Sequence, residues 1–178
     1  EEIIYICYDN EAYMNTGAQR SGTTPQGVLT TTTPIKGKLQ VKKDVPAIIA
    51  AHGIDYVATA SAAFPLDFYD KVKKATTISG PKYIHVHTPC PPGWGFESRY
   101  TIQVGKLAVE TGLFDLYEIE NGEFRLTGAS KKLLGKERKP VVEYFKTQNR
   151  FKSLGDDFVA EIQKQVDAKW EAYSADAK

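Results

Sequence analysis

The densest set of small polar groups in the chain follows directly after a short apolar run, Ile3–Tyr8. Asn10 and the backbone carbonyl of Ala12 offer two oxygens separated by one residue, a spacing that can reach one hard cation. Mg²⁺ prefers such oxygen ligands and usually shares its coordination shell with phosphate oxygens. The segment Asn15–Gly17 adds donors and a glycine that permits close approach of the backbone to a ligand. Residue chemistry alone therefore indicates a candidate cation site, with an ordinary Asp-Asn turn as the alternative.

The two cysteines, Cys7 and Cys90, stand in different settings. Cys7 belongs to the apolar run, where a cysteine usually serves as a small buried side chain. Cys90 lies between prolines and precedes Gly93 and Trp94, so it is the candidate for chemistry. We expect no disulfide between the two in a reducing compartment. His85 and His87 are a weaker metal candidate, because no third histidine or carboxylate accompanies them in the sequence.

The elements that position these groups follow from the pattern of apolar residues. Short β-rich runs alternate with segments of helical period, which predicts an α/β fold with a parallel sheet covered by helices on both faces. Asn121-Gly122 predicts a hairpin turn. The predicted strands are Ile3–Tyr8, Tyr56–Ala60, Tyr83–Thr88, Phe114–Ile119 and Glu123–Leu126, and the predicted helices are Val45–His52, Pro65–Thr77, Ser98–Thr111, Pro140–Thr147 and Asp156–Ser174.

Two segments depart from this alternation. Residues 9–44 have no convincing period, and so long a connection is typical of a functional loop, with an irregular threonine-rich linker as the alternative. From Gly128 onward the composition changes, and we predict a basic loop at Lys131–Lys139 within a helical C-terminal extension. In helix Pro65–Thr77 we expect Phe68 and Val72 on the buried face and Lys71 on the exposed face.

The composition excludes several classes of function. A net charge of +1 gives no electrostatic reason to expect nucleic acid or an anionic membrane as a partner. No apolar run approaches the length of a bilayer span, and the acidic start is unlike a signal peptide, so we expect a cytoplasmic protein. The chain begins almost directly in a strand pattern, without methionine, and we expect half of a domain to be missing.

The run Asp9–Gly17, continuing to Thr24-Pro25, resembles the second half of the thiamine-diphosphate motif of pyruvate:ferredoxin oxidoreductases. The resemblance implies a thiamine-diphosphate-binding fold. It implies that the side chain of Asn10 and the carbonyl of Ala12 bind the Mg²⁺ that holds the diphosphate. It implies a catalytic role for Asn15 near the reactive thiazolium. Three further residues would line the cofactor, namely Met14, Thr16 and Gly17.

The segment from His87 to Trp94 resembles the part of the same family that carries the last cysteine ligand of a 4Fe-4S cluster. Such a cluster needs four ligands, and Cys90 would supply one. The family's other three cysteines, and the Gly-Asp-Gly sequence that begins the thiamine motif, lie in an N-terminal half. The resemblance therefore implies that residues 1–127 are the C-terminal half of a thiamine-diphosphate-binding domain and that residues 128–178 are the extension.

The family performs oxidative decarboxylation of a 2-oxoacid with coenzyme A and ferredoxin, as a hetero-oligomer of anaerobic metabolism. The resemblance implies that function for the complex containing this chain, with pyruvate as the substrate and with the other subunits, including the N-terminal half, as partners. Oxalate or another 2-oxoacid is the alternative within the family. An α/β interaction subunit that has lost its cofactor is the alternative of another class.

Overall fold

A mixed sheet of five strands forms the centre of the fold, and the computed structural model describes residues 2–176. The spatial order is β1-β3-β2-β4-β5. Strands β1, β3 and β2 are parallel, as the alternation with helices predicts, and the hairpin β4-β5 joins the edge of β2 in the antiparallel sense. The strands are β1 (Ile3–Asp9), β2 (Tyr56–Ser61), β3 (Pro81–His87), β4 (Tyr117–Glu120) and β5 (Glu123–Leu126).

Seven α-helices lie among the described residues, and the longest of them ends the described chain. Short 3-10 turns at Ser98–Tyr100 and Asn149–Phe151 accompany them. The helices are α1 (Val45–Ala50), α2 (Pro65–Ala75), α3 (Pro91–Trp94), α4 (Thr101–Glu110), α5 (Gly128–Leu133), α6 (Val141–Phe145) and α7 (Asp156–Asp176). None of them combines the length and hydropathy that crossing a bilayer would need.

The two faces of the sheet are covered by different helices. On one face, α2 packs Val72 and Ala75 against apolar residues of β2 and β3, including Ala58 and Ile84. On the other face, α1 contacts the same two strands. The Asp44 side chain caps α1 by accepting the Ala47 amide at 3.0 Å, as expected for an acidic residue at a helix start. The predicted coverage of both faces is confirmed.

Two local predictions were wrong. Lys71, expected on the exposed face of α2, is only 2% exposed. Its Nζ donates to the Thr59 carbonyl at 2.7 Å and pairs with Asp67 at 2.6 Å, so the helix buries this charge with partners. Part of the expected loop Lys131–Lys139 belongs to helix α5, which begins at Gly128.

Apart from Asp9, which ends β1, the non-periodic segment 9–44 contains no helix and no strand beyond isolated bridges, as predicted. It is nevertheless held by internal hydrogen bonds. The Lys38 ammonium is buried and donates to the carbonyls of Gly22, Thr24 and Val41 at 2.6–3.0 Å. One lysine thereby joins three parts of the loop, which argues against an unstructured linker.

The C-terminal segment shares its core with the rest of the chain. In α7, Val166 and Trp170 are buried, and the close approach of Trp170 to Gly112 leaves no room for a Cβ there. A single hydrophobic cluster contains residues from both sides of the predicted boundary at residue 127. Its members before that residue include Val28, Trp94, Val104 and Leu107, and those after it include Val141, Phe151, Val166 and Trp170.

Candidate functional site

Asp9 ends strand β1 and is buried, with 5% of its surface exposed. One carboxylate oxygen accepts the Glu11 amide at 2.9 Å and the Thr23 hydroxyl at 2.7 Å. The other oxygen lies 2.9 Å from both His85 Nε2 and Lys42 Nζ. Burial would raise the pKa of Asp9, but the His85 hydrogen bond and the Lys42 charge hold it well below its usual value. These bonds leave the carboxylate fully engaged inside the protein.

Glu11 is the second buried carboxylate of the loop, and its backbone adopts the left-handed region with φ of 66°. One carboxylate oxygen pairs with Lys42 at 2.7 Å and the other with Arg150 at 2.7 Å. Burial would raise the pKa of Glu11, but the two cations lower it to about 2. Left-handed backbone at a residue other than glycine costs about 1–3 kcal/mol, so the surrounding contacts must hold it.

Asn10 and Ala12 flank Glu11. The Asn10 carbonyl accepts the indole N–H of Trp94 at 2.9 Å. Within residues 2–176, no hydrogen bond engages the Asn10 side chain or the Ala12 carbonyl oxygen. The two oxygens that the sequence singles out therefore have unused capacity, whereas the neighbouring carboxylates of Asp9 and Glu11 do not. An amide oxygen and a backbone carbonyl fit the oxygen preference of Mg²⁺.

The rest of the predicted motif forms a tight turn. The amides of Gly17 and Ala18 both donate to the Met14 carbonyl at 3.2 Å, and Gly17 has φ of 117°. Asn15, Thr16 and Gly17 are exposed, while Met14 is partly buried. The Thr16 hydroxyl donates to the Gln19 side chain at 2.6 Å. The sequence-predicted residues thus lie on one continuous surface turn.

Cys90 comes close to this turn although 73 or more positions separate the two in the chain. It is partly buried at the N-terminus of α3, and both its Sγ and the Met14 Sδ crowd the position where Gly93 would carry a Cβ. The fold therefore brings the two sequence motifs together through Met14, Gly93 and Trp94. Among the described residues, no group of three His, Cys, Asp or Glu side chains is arranged to hold a metal.

A cavity of about 530 Å³ lies beside the buried ion pairs. The sheet forms one wall of the cavity through Thr59, His85 and His87. Helix α1 forms a second wall, and α7 contributes Val166 and Tyr173. His85 and His87 point to the same side because side chains two residues apart on a strand share a face. His85 does have a carboxylate partner, Asp9, which its sequence neighbourhood does not reveal.

His87 is buried among aromatic rings, with ring centroids 5.5 Å from Trp94 and 4.8 Å from Phe114. Its Nδ1 has no hydrogen-bond partner in the described part of the chain. Burial lowers the pKa of His87 to about 4, and the nearby charges of Lys42 and Arg150 act in the same direction. The imidazole is therefore neutral at pH 7.

Three residues of the site, Lys42, Arg150 and Glu11, are missed by sequence reasoning. Lys42 belongs to a basic stretch, and such stretches are usually exposed to solvent. Arg150 lies 139 positions from Glu11, the carboxylate that it binds. No local pattern distinguishes a buried charge from an exposed one. A signal for Glu11 exists only in its position between the two predicted oxygen donors.

Comparisons with known proteins find a matching family model and similar curated proteins. The family described as the C-terminal TPP-binding domain of thiamine pyrophosphate enzymes matches residues 1–86. The pyruvate synthase subunit PorB of Methanocaldococcus jannaschii is 55% identical over 172 residues, which are 94% of this chain and 56% of the relative. The ketoisovalerate oxidoreductase subunit VorB of Pyrococcus horikoshii is 46% identical over 175 residues, 96% of this chain and 55% of the relative.

Two further similarities are to a curated subunit and to a solved structure. The PorB subunit of Thermotoga maritima is 44% identical over an alignment that covers 96% of this chain and 54% of that protein. A solved 2-oxoglutarate:ferredoxin oxidoreductase from Magnetococcus marinus is 29% identical, with a TM-score of 0.48 over 51% of this chain and 31% of that one. The chain thus spans a little over half the length of the curated relatives that it matches.

Replacing His87 by Phe should reduce the loss of stability in mild acid. Because folding lowers the pKa of His87 from 6.5 to about 4, the unfolded chain binds a proton first, and stability falls as the pH drops through that window. The effect amounts to about 3 kcal/mol, and it is absent in His87→Phe. Denaturant titrations at pH 7, 5.5 and 4 measure it. His52→Gln, at an exposed site, is the control and should follow the wild type; an unchanged profile in His87→Phe would contradict the assignment.

Proposed function

The chain belongs to the family of the PorB and VorB subunits of 2-oxoacid:ferredoxin oxidoreductases, and on that premise we propose that it is part of an enzyme that oxidatively decarboxylates pyruvate. The activity belongs to the complete complex, since the chain spans about half the length of its curated relatives. The observation that carries the proposal is the loop after β1, where Asn10 and Ala12 keep two oxygens unengaged beside saturated carboxylates.

We propose that the Asn10 side chain and the Ala12 carbonyl bind the Mg²⁺ that holds thiamine diphosphate. Their chemistry fits, because Mg²⁺ takes a few protein oxygens and completes its shell with phosphate oxygens and water. The buried pairs of Asp9 and Glu11 keep these carboxylates from competing for the metal. When bound, thiamine diphosphate supplies the electron sink for decarboxylation, and the protein supplies position and electrostatics.

The turn from Met14 to Gly17 is proposed to line the cofactor. Asn15 is exposed, and its side chain makes no hydrogen bond among residues 2–176, so its amide can orient a substrate carbonyl. Thr16 and Gly17 expose polar backbone and a surface without a Cβ, which permits close approach. Met14 contributes an apolar side chain that packs beside Cys90.

Cys90 is proposed to supply one thiolate to a 4Fe-4S cluster near the cofactor. The donor set of this chain fits only in part, because four ligands are required and the described residues contain no further cysteine besides Cys7 on β1. The remaining ligands must come from other parts of the complex. The sulfur atoms of Cys90 and Met14 both lie next to Gly93, which supports a position of Cys90 near the cofactor turn.

The substrate and the partners are proposed from the relatives. The PorB subunit at 55% identity is named for pyruvate, and the VorB subunit at 46% is named for ketoisovalerate, so pyruvate is the first choice. Coenzyme A would accept the acyl group and ferredoxin the electrons. The other subunits, including the N-terminal half of this one, complete a hetero-oligomer that we assign to the cytoplasm and to anaerobic metabolism.

The assembled complex should reduce ferredoxin with pyruvate and coenzyme A. We expect kcat/KM for pyruvate to exceed that for ketoisovalerate, 2-oxoglutarate and oxalate by at least about tenfold, a preference of about 1.4 kcal/mol. Reduction of ferredoxin is followed by absorbance under anaerobic conditions. A preference for another 2-oxoacid would replace pyruvate within the same class. A complex that contains neither thiamine diphosphate nor iron would instead identify a non-catalytic interaction subunit.

Asn10→Ala should weaken Mg²⁺-dependent binding of thiamine diphosphate by at least about tenfold, because it removes one metal ligand. Asn10→Asp retains an oxygen ligand and should bind more tightly than Asn10→Ala. The measurement is equilibrium dialysis of the cofactor-depleted complex at several Mg²⁺ concentrations. Equal affinity of Asn10→Ala and the wild type would remove Asn10 from the metal site.

Cys90→Ala should abolish or convert the proposed cluster and stop the reduction of ferredoxin, because a thiolate ligand is lost. Iron analysis and electron paramagnetic resonance of the reduced complex measure the cluster directly. Cys7→Ala is the matched control in the same chain and should keep the iron content and the spectrum. A normal cluster and normal electron transfer in Cys90→Ala would overturn the assignment.

A further inference from the structure

We propose that Arg150 is a positioning residue for the cofactor loop, acting through Glu11 and Trp94 to fix the two oxygens of Asn10 and Ala12. The inference rests on the proposed function of that loop. It assigns a role to the C-terminal segment, in which Arg150 lies outside the residues matched by the thiamine pyrophosphate enzyme family. The loop and the C-terminal segment would then form a single functional unit.

The Arg150 side chain reaches both sides of the loop. Its Nη2 pairs with Glu11 Oε2 at 2.7 Å, and its guanidinium carbon lies 3.6 Å from the centroid of the Trp94 ring. The Trp94 indole in turn donates to the Asn10 carbonyl at 2.9 Å. Arg150 therefore contacts Glu11, which lies between the two proposed metal ligands. It also contacts Trp94, whose indole binds the backbone carbonyl of Asn10.

Arg150 is itself held in place from several directions. Its side chain is 2% exposed, its Nε donates to the Gln148 side chain at 2.8 Å, and Nη2 also lies 3.2 Å from the Tyr144 hydroxyl. The Arg150 carbonyl accepts the Leu29 amide at 3.0 Å, so the backbone is anchored independently of the ion pair. A guanidinium fixed in this way presents one direction to Glu11 rather than a range of them.

The charge balance makes the loop dependent on this cation. Asp9 and Glu11 are buried, and Lys42, whose side chain is 29% exposed, is shared between them. Without Arg150, Lys42 would be the only cation left beside both carboxylates of this pair. A buried carboxylate that must share its one cation is destabilised, because its charge is incompletely compensated. Glu11 would then turn toward another partner or toward water. That movement would release its left-handed backbone and shift the oxygens on both sides of it.

Arg138 provides a matched control in the same C-terminal segment. Its guanidinium carbon lies 5.1 Å from the centroid of the Trp170 ring, and its Nη2 pairs with Asp167 at 2.8 Å. It has the same residue type, the same kind of aromatic contact and an ion pair, but its partners belong to α7 and not to the cofactor loop. Arg138→Met therefore reports the cost of removing an arginine that stacks on a tryptophan, without touching the loop.

The experiment measures thiamine diphosphate binding to the assembled, cofactor-depleted complex by titration calorimetry with Mg²⁺ present. The variants are Arg150→Met, Arg150→Lys, Glu11→Gln, Arg138→Met and the double variant Glu11→Gln/Arg150→Met. We expect Arg150→Met to weaken binding at least about tenfold and Arg150→Lys to be intermediate, because lysine keeps the charge but loses the planar fork. Arg138→Met should bind thiamine diphosphate like the wild type, even where it lowers the thermal midpoint of unfolding as much as Arg150→Met does.

The double variant tests whether Arg150 acts through Glu11. If it does, Arg150→Met should weaken thiamine diphosphate binding by less than about threefold more in the Glu11→Gln background, since the two changes remove the same interaction. A full additional tenfold loss there would overturn the proposed route. An equal loss of affinity in Arg138→Met would also overturn it, because the effect would then be one of general stability.

The failure of this inference can be distinguished from the failure of the proposed function. Wild-type affinity in Arg150→Met overturns the positioning role and leaves the thiamine site intact. A wild-type complex that binds no thiamine diphosphate overturns both. If Arg150→Met does not assemble, Arg150→Lys and Glu11→Gln decide: weakened binding in folded complexes supports the role, and wild-type binding in both overturns it.

Discussion

Two buried carboxylates, Asp9 and Glu11, share the ammonium of Lys42 at the point where the first strand ends, and the rest of the site depends on that arrangement. His85 adds a hydrogen bond to Asp9 from the sheet, and Arg150 adds a second cation beside Glu11 from the C-terminal segment. Removing one partner from a buried ion pair typically costs about 3–5 kcal/mol, because the other charge is left in a poor solvent. The ion pairs therefore constrain the loop far more tightly than its irregular sequence would suggest.

The ion pairs separate two roles within one short motif. Inward-facing carboxylates hold the loop, while the Asn10 side chain and the Ala12 carbonyl make no hydrogen bond among residues 2–176. Trp94 extends the constraint, since it donates to the Asn10 carbonyl on one side and lies under Arg150 on the other. The segment carrying Cys90 is thereby joined to the loop. Trp94 and Arg150 both lie beyond residue 86, where the match to the thiamine pyrophosphate enzyme family ends.

Much of the fold could be predicted, because its elements carry local signals. Strand β1 is a continuous apolar run, helix α1 has an acidic cap, and the turn of the β4-β5 hairpin is Asn121-Gly122. Buried lysines could not be predicted. Lys71 finds the Thr59 carbonyl and Asp67 within the interior, and which lysine has such partners depends on tertiary packing that no local pattern encodes. The site divides in the same way. The motif predicts Asn10 and Ala12 as the proposed oxygen donors, whereas the contacts of Lys42 and Arg150 with the loop are visible only in the structure.

The most direct measurement of the central claim is the structure of the assembled complex with thiamine diphosphate and Mg²⁺ bound. We expect the Asn10 side-chain oxygen and the Ala12 carbonyl to lie about 2.0–2.1 Å from the metal, the usual Mg²⁺–oxygen distance. We also expect Asp9 and Glu11 to remain paired with Lys42 and Arg150. A metal bound by either of these carboxylates, or a cofactor that does not contact the Asn10–Gly17 loop, would contradict the proposed site.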